Sequence, residues 1–208
     1  MKYVIYILLT LFLLASCQKE EYVGTPRGMG TLVLETLSVQ TENVNTVFTR
    51  AVEPDLYVEI WQNGQLLTGQ RYEPGKVPGK LDLPAGVYLL KTYNQAYQDM
   101  SGWLDTEKGN MAFSAEKDFE IESNEINYLS VEVPMVNIGV SLKLPEGFSD
   151  RFKDYHFTVQ VGNRSVEISK GETAYFPLSE VTYILSATNN DGENKTKSKT
   201  IKSPVAGT

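Results

Sequence analysis

The sequence predicts an all-β protein made of two consecutive β-sandwich domains. Apolar residues recur mainly at a spacing of two, which is the period of a half-buried strand. Turn residues, such as Asn63-Gly64 and Pro84-Ala85-Gly86, separate these short apolar runs. No stretch keeps the 3.6-residue period of an amphipathic helix. Short strands with frequent turns are typical of β-sandwiches.

The first predicted sandwich covers residues 30–134. In its clearest hairpin, Leu56, Val58 and Ile60 point to one face, and Asn63-Gly64 supplies the positive φ angles of a two-residue turn. Further strands are predicted at residues 30–34, 81–83, 87–93, 119–121 and 128–133, with a return strand from Gln65.

The second predicted sandwich covers residues 135–208 and follows Pro134. Its first strand has the most regular alternation in the chain, through Val136, Ile138, Val140, Leu142 and Leu144. Further strands are predicted at residues 155–161, 166–168 and 183–187, with a turn at Gly162-Asn163.

The two halves resemble distant repeats of one another. Both residues 83–90 and residues 176–185 contain the end of a strand, a turn with proline, and a strand that has a tyrosine near its start. The second half lacks a counterpart of the strand at residues 128–133. Three explanations stay open: a longer protein from which this chain is cut, which we favour, a natural end, or an edge that receives a strand from a partner.

Three lysines alternate along the last predicted strand, namely Lys195, Lys197 and Lys199. Lysines placed in this way block edge-to-edge pairing of sheets. We therefore favour a solvated sheet edge over a stripe that binds polyanions.

The N-terminus has the features of an export signal. Residues 1–16 combine a charge at Lys2 with an apolar run that is shorter than the roughly 20 residues of a spanning helix. The end of this run, Leu14-Ala15-Ser16-Cys17, resembles the lipobox of bacterial lipoproteins, which implies cleavage before Cys17 and lipid on its thiol. The alternative is an ordinary signal peptide with a spare thiol. Residues 17–29 are mostly polar and are predicted to form a lipidated tether.

Composition argues against several functions. The formal net charge is −7, so the chain lacks the basic field that attracts nucleic acid. Cys17 is the only cysteine and His156 the only histidine, which leaves too few nitrogen and sulfur ligands for a zinc site. No nucleophile-elbow sequence accompanies His156, which is expected to face water. We therefore predict a protein that is not an enzyme and that uses no metal or other cofactor.

Aromatic residues are the more informative signal for a binding site. Tyr57 and Trp61 lie on the strand face opposite the apolar residues of the first hairpin, with Glu59 between them. One face of this strand is therefore expected to expose two rings, which could stack on sugars.

Two more aromatic residues, Tyr97 and Trp103, fall within a long loop predicted at residues 94–110. Binding residues concentrate on loops held by rigid scaffolds, and long loops are often functional. All four rings are candidates for contact with a glycan. Packing of the rings in the core is the favoured alternative.

Three features coincide with those of a known family. They are the lipobox followed by Gln18-Lys19-Glu20-Glu21, an opening strand Gly30-Thr31-Leu32-Val33-Leu34, and the turn Leu83-Pro84-Ala85-Gly86-Val87-Tyr88. Together they resemble a Bacteroidota surface-lipoprotein family, catalogued as domain of unknown function 4493, over roughly Gly28 to the end. The turn is more distantly similar to that of fimbrillin-like and fimbrial anchor lipoproteins. The resemblance implies transthyretin-like or immunoglobulin-like sandwiches, an outer-membrane location, and in longer members a further C-terminal domain linked to carbohydrate metabolism.

Two short motifs outside the strands also carry predictions. The run Gln18-Lys19-Glu20-Glu21 resembles the export signal that sends such lipoproteins to the outer leaflet, and a merely solvated tether is the alternative. Thr49-Arg50-Ala51 is similar to the site near which a trypsin-like protease trims fimbrillin-type precursors, although an arginine in an exposed loop is the favoured interpretation.

These observations predict a non-enzymatic lipoprotein, held on the outer membrane by its lipid and facing the cell exterior. We predict that it acts as an extracellular binding or adhesion module, with a glycan or another protein as its partner. The alternative is a fimbria-like assembly or anchor subunit that accepts a strand from a partner.

Overall fold

The computed structural model describes residues 28–40 and 55–207, and within them the chain is almost entirely β-structure. The helical segments of these ranges are two short α-helices, α1 (Gln95–Asp99) and α2 (Phe148–Arg151), and one 3-10 helix (Met100–Gly102). The predicted all-β fold class is therefore confirmed. The predicted signal peptide, Cys17, the export signal and Arg50 lie outside the described residues.

The first seven strands form two sheets. They are β1 (Met29–Gln40), β2 (Leu56–Gln62), β3 (Gln65–Tyr72), β4 (Leu81–Pro84), β5 (Gly86–Asn94), β6 (Ser114–Ile121) and β7 (Ile126–Pro134). One sheet has three strands in the order β4-β1-β7, and the other has four in the order β3-β2-β5-β6. β1 is antiparallel to β4 but parallel to β7. The strands β4 and β5, and likewise β6 and β7, are consecutive in the chain but lie in different sheets.

These two sheets share one hydrophobic core. Its buried members come from both sheets, among them Leu32, Leu83, Val131, Val58, Ile60, Tyr88 and Leu90. Each large apolar side chain buried in this way stabilises the fold by about 1.5–3 kcal/mol. Asn63 (φ 52°) and Gly64 (φ 75°) form the predicted tight turn between β2 and β3. This turn fixes the register of β2, and with it which side chains face the core.

Six further strands follow and form a four-stranded and a two-stranded sheet. They are β8 (Ile138–Ser141), β9 (Phe152–Val161), β10 (Arg164–Glu167), β11 (Thr173–Phe176), β12 (Val181–Asn189) and β13 (Asn194–Ile201). Their orders are β10-β9-β12-β13 and β11-β8. A second hydrophobic core joins these sheets, and it includes Val140, Val159, Val166 and Phe176.

The second group of strands repeats the pairing of the first. β1 pairs with β4, and β2 lies between β3 and β5; in the same way β8 pairs with β11, and β9 lies between β10 and β12. β6 and β13 each form the edge of a four-stranded sheet. This correspondence supports the repeat predicted from the sequence. Among the described strands, none lies beside β8 in the position that β7 has beside β1.

The boundary predicted between residues 134 and 135 stays a prediction. Buried apolar residues change from the first core to the second between Met135 and Ile138. Hydrogen bonds nevertheless connect the two groups of strands, since Ser165 N donates to Asp105 O at 2.9 Å and Tyr175 N to Lys108 O at 2.6 Å.

The strand predicted from Val136 to Leu144 is shorter in the structure. Only the four residues of β8 form a ladder, because their partner β11 also has four. Before β8, the side chain of the buried Asn137 accepts a hydrogen bond from Ala112 N at 3.0 Å and donates one to Asn110 O at 2.8 Å. The chain at Asn137 is therefore bonded to the segment before β6 instead of continuing the strand.

The segment predicted as a long loop at residues 94–110 contains regular structure. Asn94 Oδ1 accepts hydrogen bonds from Tyr97 N at 3.1 Å, which caps α1, and from Phe113 N at 3.0 Å. Asn94 Nδ2 donates to Met111 O at 2.7 Å. One asparagine thus ties α1 to the segment that precedes β6, and Tyr97 is held close to the end of β5.

Candidate functional site on the outer face of a sheet

The outer face of the four-stranded sheet β3-β2-β5-β6 carries three of the four predicted binding residues. On β2, Tyr57, Glu59 and Trp61 alternate with the core residues and point away from the core, as the sequence predicts. On β5, Tyr93 pairs with Tyr57 and Lys91 pairs with Glu59, so these residues share that side. We call this surface the aromatic face, and its residues are Tyr57, Glu59, Trp61, Arg71, Lys91, Tyr93 and Tyr97.

Three tyrosine rings form a row on the aromatic face. The rings of Tyr57 and Tyr93 are stacked, with centroids 5.5 Å apart and planes at 19°. The ring of Tyr97 lies next in the row, 6.0 Å from Tyr93 and tilted by 35°. Tyr57 also donates a hydrogen bond to Gln95 Oε1 at 2.9 Å. The row therefore joins β2, β5 and α1, and its last ring, Tyr97, is 41% exposed.

Glu59 accepts hydrogen bonds from two rings of the aromatic face, a role that the sequence analysis did not assign to it. Its side chain is buried, although it lies on the outer side of the sheet. Tyr93 Oη donates to Glu59 Oε1 at 2.6 Å, and Trp61 Nε1 donates to Glu59 Oε2 at 2.9 Å. Arg71 Nε lies 3.4 Å from Oε1. Both carboxylate oxygens are therefore engaged, and one charge orients two rings.

The hydrogen bond that Tyr93 donates to Glu59 is kept at neutral pH because folding raises the pKa of the phenol. Burial, and next the hydrogen bond and charge of Glu59, raise the pKa of the Tyr93 phenol. A group whose pKa is raised by folding contributes stability that is lost only as the pH rises through the raised pKa. The phenol therefore stays protonated at neutral pH and keeps donating to Glu59.

Two cations lie against the rings. Lys91 Nζ is 4.7 Å from the ring centroid of Trp61, and Arg71 Cζ is 5.9 Å from that of Tyr57. Lys91 also forms an ion pair with Glu116 Oε1 at 2.7 Å. Cations at such distances are attracted to the ring quadrupole. Glu59 thus holds two rings by hydrogen bonds, and the two cations lie over one face of Trp61 and one face of Tyr57, which makes the face preorganised.

Trp103, the fourth predicted binding residue, belongs to a different contact. Its ring faces the guanidinium of Arg164, whose Cζ lies 5.1 Å from the ring centroid. Gly109 packs so closely against the ring that a Cβ at this glycine would approach Trp103 Cζ3 to 2.6 Å. The structure therefore brings Tyr57, Trp61 and Tyr97 together. Trp103 lies apart from them, in the segment after α1, where its ring packs against Arg164 of β10.

The remaining candidate features lie on the surface or outside the described ranges. His156 is exposed, and its Nδ1 is 2.7 Å from Glu167 Oε1. In residues 28–40 and 55–207, no group of three or more histidine, cysteine, aspartate or glutamate side chains is arranged to hold a metal ion. Over the same part of the chain, no helix is long and apolar enough to cross a membrane. Cys17, the run Gln18-Lys19-Glu20-Glu21 and Arg50 are not among the described residues.

The fold and this face define a class of protein, namely an all-β protein of paired sheets that presents a preorganised aromatic surface. The chain belongs to the DUF4493 family, because residues 28–208 match the family described as Domain of unknown function (DUF4493). This match confirms the resemblance seen in the sequence motifs. No curated protein matches the chain.

Three solved structures are similar to the chain at low identity. A candidate adhesin from Bacteroides ovatus ATCC 8483 is 13% identical with a TM-score of 0.41, over 89% of this chain and 87% of that one. A fimbrilin from Porphyromonas gingivalis W83 is 9% identical with a TM-score of 0.45, over 86% of this chain and 81% of that one. The Bacillus anthracis TIE protein is 14% identical with a TM-score of 0.34, over 87% of this chain and 32% of that one. Values this low carry no argument about function.

Proposed function

We propose that the protein is a non-enzymatic, surface-displayed binding module whose aromatic face binds a glycan. The observation that carries this proposal is that Glu59 holds Tyr93, the middle ring of the tyrosine row, and the neighbouring Trp61 by hydrogen bonds. Side chains that are ordered before binding lose little conformational entropy when the ligand arrives. A face preorganised in this way is suited to recognition.

A sugar matches the two kinds of contact that the aromatic face offers. One side of a pyranose ring is a patch of C–H groups that can pack on an aromatic ring, while the hydroxyls need hydrogen-bond partners around it. The partly exposed rings of Trp61 and Tyr97 supply the first contact, and the exposed side chain of Arg71 supplies the second. Glu59 is already engaged by its partners, so it supports the rings and is not a free carboxylate for acid–base chemistry.

Surface display is the second part of the proposal, and it is argued from the sequence. We propose that lipid on Cys17 anchors the protein to the outer membrane, and that Gln18-Lys19-Glu20-Glu21 directs it to the outer leaflet. The Cys17→Ser variant is expected to move from the membrane fraction to the soluble fraction of cells, because it has no thiol to acylate. Membrane retention of this variant would contradict the anchor.

Trp61→Ala is expected to weaken glycan binding by more than about tenfold, because truncation of a central aromatic contact costs about 2 kcal/mol. Binding is measured first on an array of polysaccharides and then by calorimetric titration with the best ligand. Tyr155→Ala is the matched control, since Tyr155 is a partly exposed ring on β9, in the second group of strands and away from the aromatic face. The proposal would be wrong if the parent bound no glycan, or if parent and both variants bound equally well.

A second candidate function is acceptance of a partner strand, as in a fimbria-like assembly or anchor subunit. One observation favours it. Among the described strands, β8 pairs with β11 alone, whereas its counterpart β1 has β4 on one side and β7 on the other. A strand placed parallel to β8 would complete the repeat, and strand addition to an open sheet edge is a common mode of recognition.

The lysines of β13 indicate the chemistry of such a strand. Lys197 pairs with Leu185 and Lys199 with Tyr183, so they share the inner side of the sheet. Tyr183 packs against the second core from this side and is only partly buried. An incoming strand with both apolar and acidic residues on its inward face would cover the apolar surface and pair with the lysines.

A peptide with the sequence of residues 126–134 tests strand acceptance, because β7 is the strand that occupies the equivalent place beside β1. We expect the peptide to slow amide hydrogen exchange in β8, since pairing protects the N–H groups. The control peptide carries proline in place of Val131, which removes an N–H and disrupts the ladder. Exchange in β8 that is unchanged by the first peptide would count against this candidate.

A further inference from the structure

A depression of about 460 Å³ lies at the seam where the edge strand β6 runs beside the edge strand β7. Three strands line it, and the polar residues of this lining are Thr36, Ser38, Glu116, Lys117, Ser130 and Glu132. We call it the seam pocket. Its volume falls in the range of small-molecule sites, roughly 300–1,000 Å³.

Hydroxyl groups and charges of both signs line the seam pocket. Thr36 Oγ1 and Ser130 Oγ are 3.2 Å apart, and Ser130 also donates to Glu35 Oε2 at 3.4 Å. Hydroxyls both donate and accept hydrogen bonds, which makes them suitable partners for the hydroxyls of a ligand. Because the lining includes the acids Glu116 and Glu132 as well as Lys117, it does not favour a strongly charged ligand of either sign. The chemistry fits a neutral, polyhydroxylated molecule.

An ion pair links the seam pocket to the aromatic face, and the pocket's hydroxyls at Thr36 and Ser130 point outward from the three-stranded sheet. Glu116 lines the pocket and at the same time forms the 2.7 Å ion pair with Lys91. Lys91 Nζ in turn lies 4.7 Å from the ring centroid of Trp61. Two side chains therefore connect the ring of Trp61 with the pocket across the edge of the sheet.

We propose that the seam pocket is a second subsite for the glycan bound by the aromatic face, so that the ligand is a neutral oligosaccharide and not a single sugar. This inference rests on the proposed function. One part of the ligand packs on Trp61, the oligosaccharide passes Lys91 and Glu116 around the edge formed by β6, and a later sugar unit hydrogen-bonds to Thr36 and Ser130 on the other sheet. Affinity should then rise with the length of the oligosaccharide.

The test uses the purified protein and linear neutral gluco- and manno-oligosaccharides of one to six units, titrated by calorimetry. For the parent, affinity is expected to rise between the disaccharide and the hexasaccharide. The double variant Thr36→Val/Ser130→Ala should bind the hexasaccharide about tenfold more weakly, because two hydroxyl contacts are lost. Its affinity for the disaccharide should equal that of the parent, since a short ligand reaches only Trp61.

The matched control is Thr182→Val/Thr200→Val, which removes another exposed pair of hydroxyls, 2.9 Å apart on β12 and β13. It should bind every oligosaccharide as the parent does. The inference is overturned if Thr36→Val/Ser130→Ala lowers the affinity for oligosaccharides of every length by the same factor. It is also overturned if this variant keeps the affinity of the parent for the hexasaccharide while Trp61→Ala lowers the affinity for the disaccharide. If the parent binds a polysaccharide of the array but none of these oligosaccharides, this inference alone fails; if the parent binds no glycan at all, or if Trp61→Ala has no effect on binding, the proposed function fails as well.

Discussion

Replacement of Arg164 with methionine is expected to lower the free energy of unfolding by about 2–4 kcal/mol. Arg164 of β10 is only 7% exposed. Its guanidinium donates to Tyr175 O at 2.9 Å and to Leu104 O at 3.4 Å, and it also donates to Glu107 O. Methionine keeps an apolar stem of similar length but provides no donor, so these carbonyl groups lose their partner.

Two aromatic rings add to the expected effect. The guanidinium carbon of Arg164 lies 5.1 Å from the ring centroid of Trp103 and 4.8 Å from that of Phe176. Burial lowers the pKa of Arg164, and the nearby carboxylates of Glu107 and Asp105 oppose this shift. Arginine nevertheless stays charged at neutral pH because its ordinary pKa is so high. A charge held between two rings thus connects the segment after α1 with β10 and β11.

Urea unfolding followed by tryptophan fluorescence measures this effect. Arg151→Met is the matched control, since Arg151 is an exposed arginine at the end of α2, and its replacement should change stability by less than about 0.5 kcal/mol. In a Trp61→Phe background, the emission of Trp103 reports directly on its contact with Arg164. Equal stability of the two methionine variants would contradict the role assigned to Arg164.

The strands themselves were predictable because their signals are local. Leu56, Val58 and Ile60 alternate before Asn63-Gly64, and this short segment alone determines both the hairpin and the side of Tyr57 and Trp61. The repeat was also visible in the sequence, since a proline turn and an aromatic-led strand recur. Pairing between distant strands was not visible, because the parallel alignment of β1 with β7 joins segments far apart in the chain.

The interior of the candidate site could not be predicted for the same reason. Glu59 alternates with core residues, so the sequence places it on the solvent side of β2. It is buried there because Tyr93 arrives from β5 and Arg71 from β3, and neither is near it in the sequence. Likewise, the partner of Trp103 is Arg164, which comes from the second group of strands. Ring positions followed from alternation, whereas the supports of the rings required the tertiary structure.

Replacement of Glu59 with alanine is expected to lower both the free energy of unfolding and the affinity of the aromatic face for glycan. The hydroxyl of Tyr93, a residue that is only 9% exposed, would lose its acceptor, and an unsatisfied buried donor costs about 1–3 kcal/mol. Trp61 Nε1 would lose its acceptor as well. Binding would then have to order both rings, and we expect roughly tenfold weaker affinity.

Replacement of Glu59 with glutamine removes the charge of the side chain and keeps its size and shape. Glu59→Gln keeps one oxygen that can accept from Trp61, and its amide N–H can donate to the Tyr93 hydroxyl in place of the bond now donated by Tyr93, so its loss of stability should be intermediate. The exposed Glu180→Ala is the control, with parent-like behaviour expected in both urea unfolding and titration with the ligand used for Trp61→Ala. If Glu59→Ala kept the stability and affinity of the parent, the ring contacts among Tyr57, Tyr93 and Tyr97 would have to hold the aromatic face without the carboxylate.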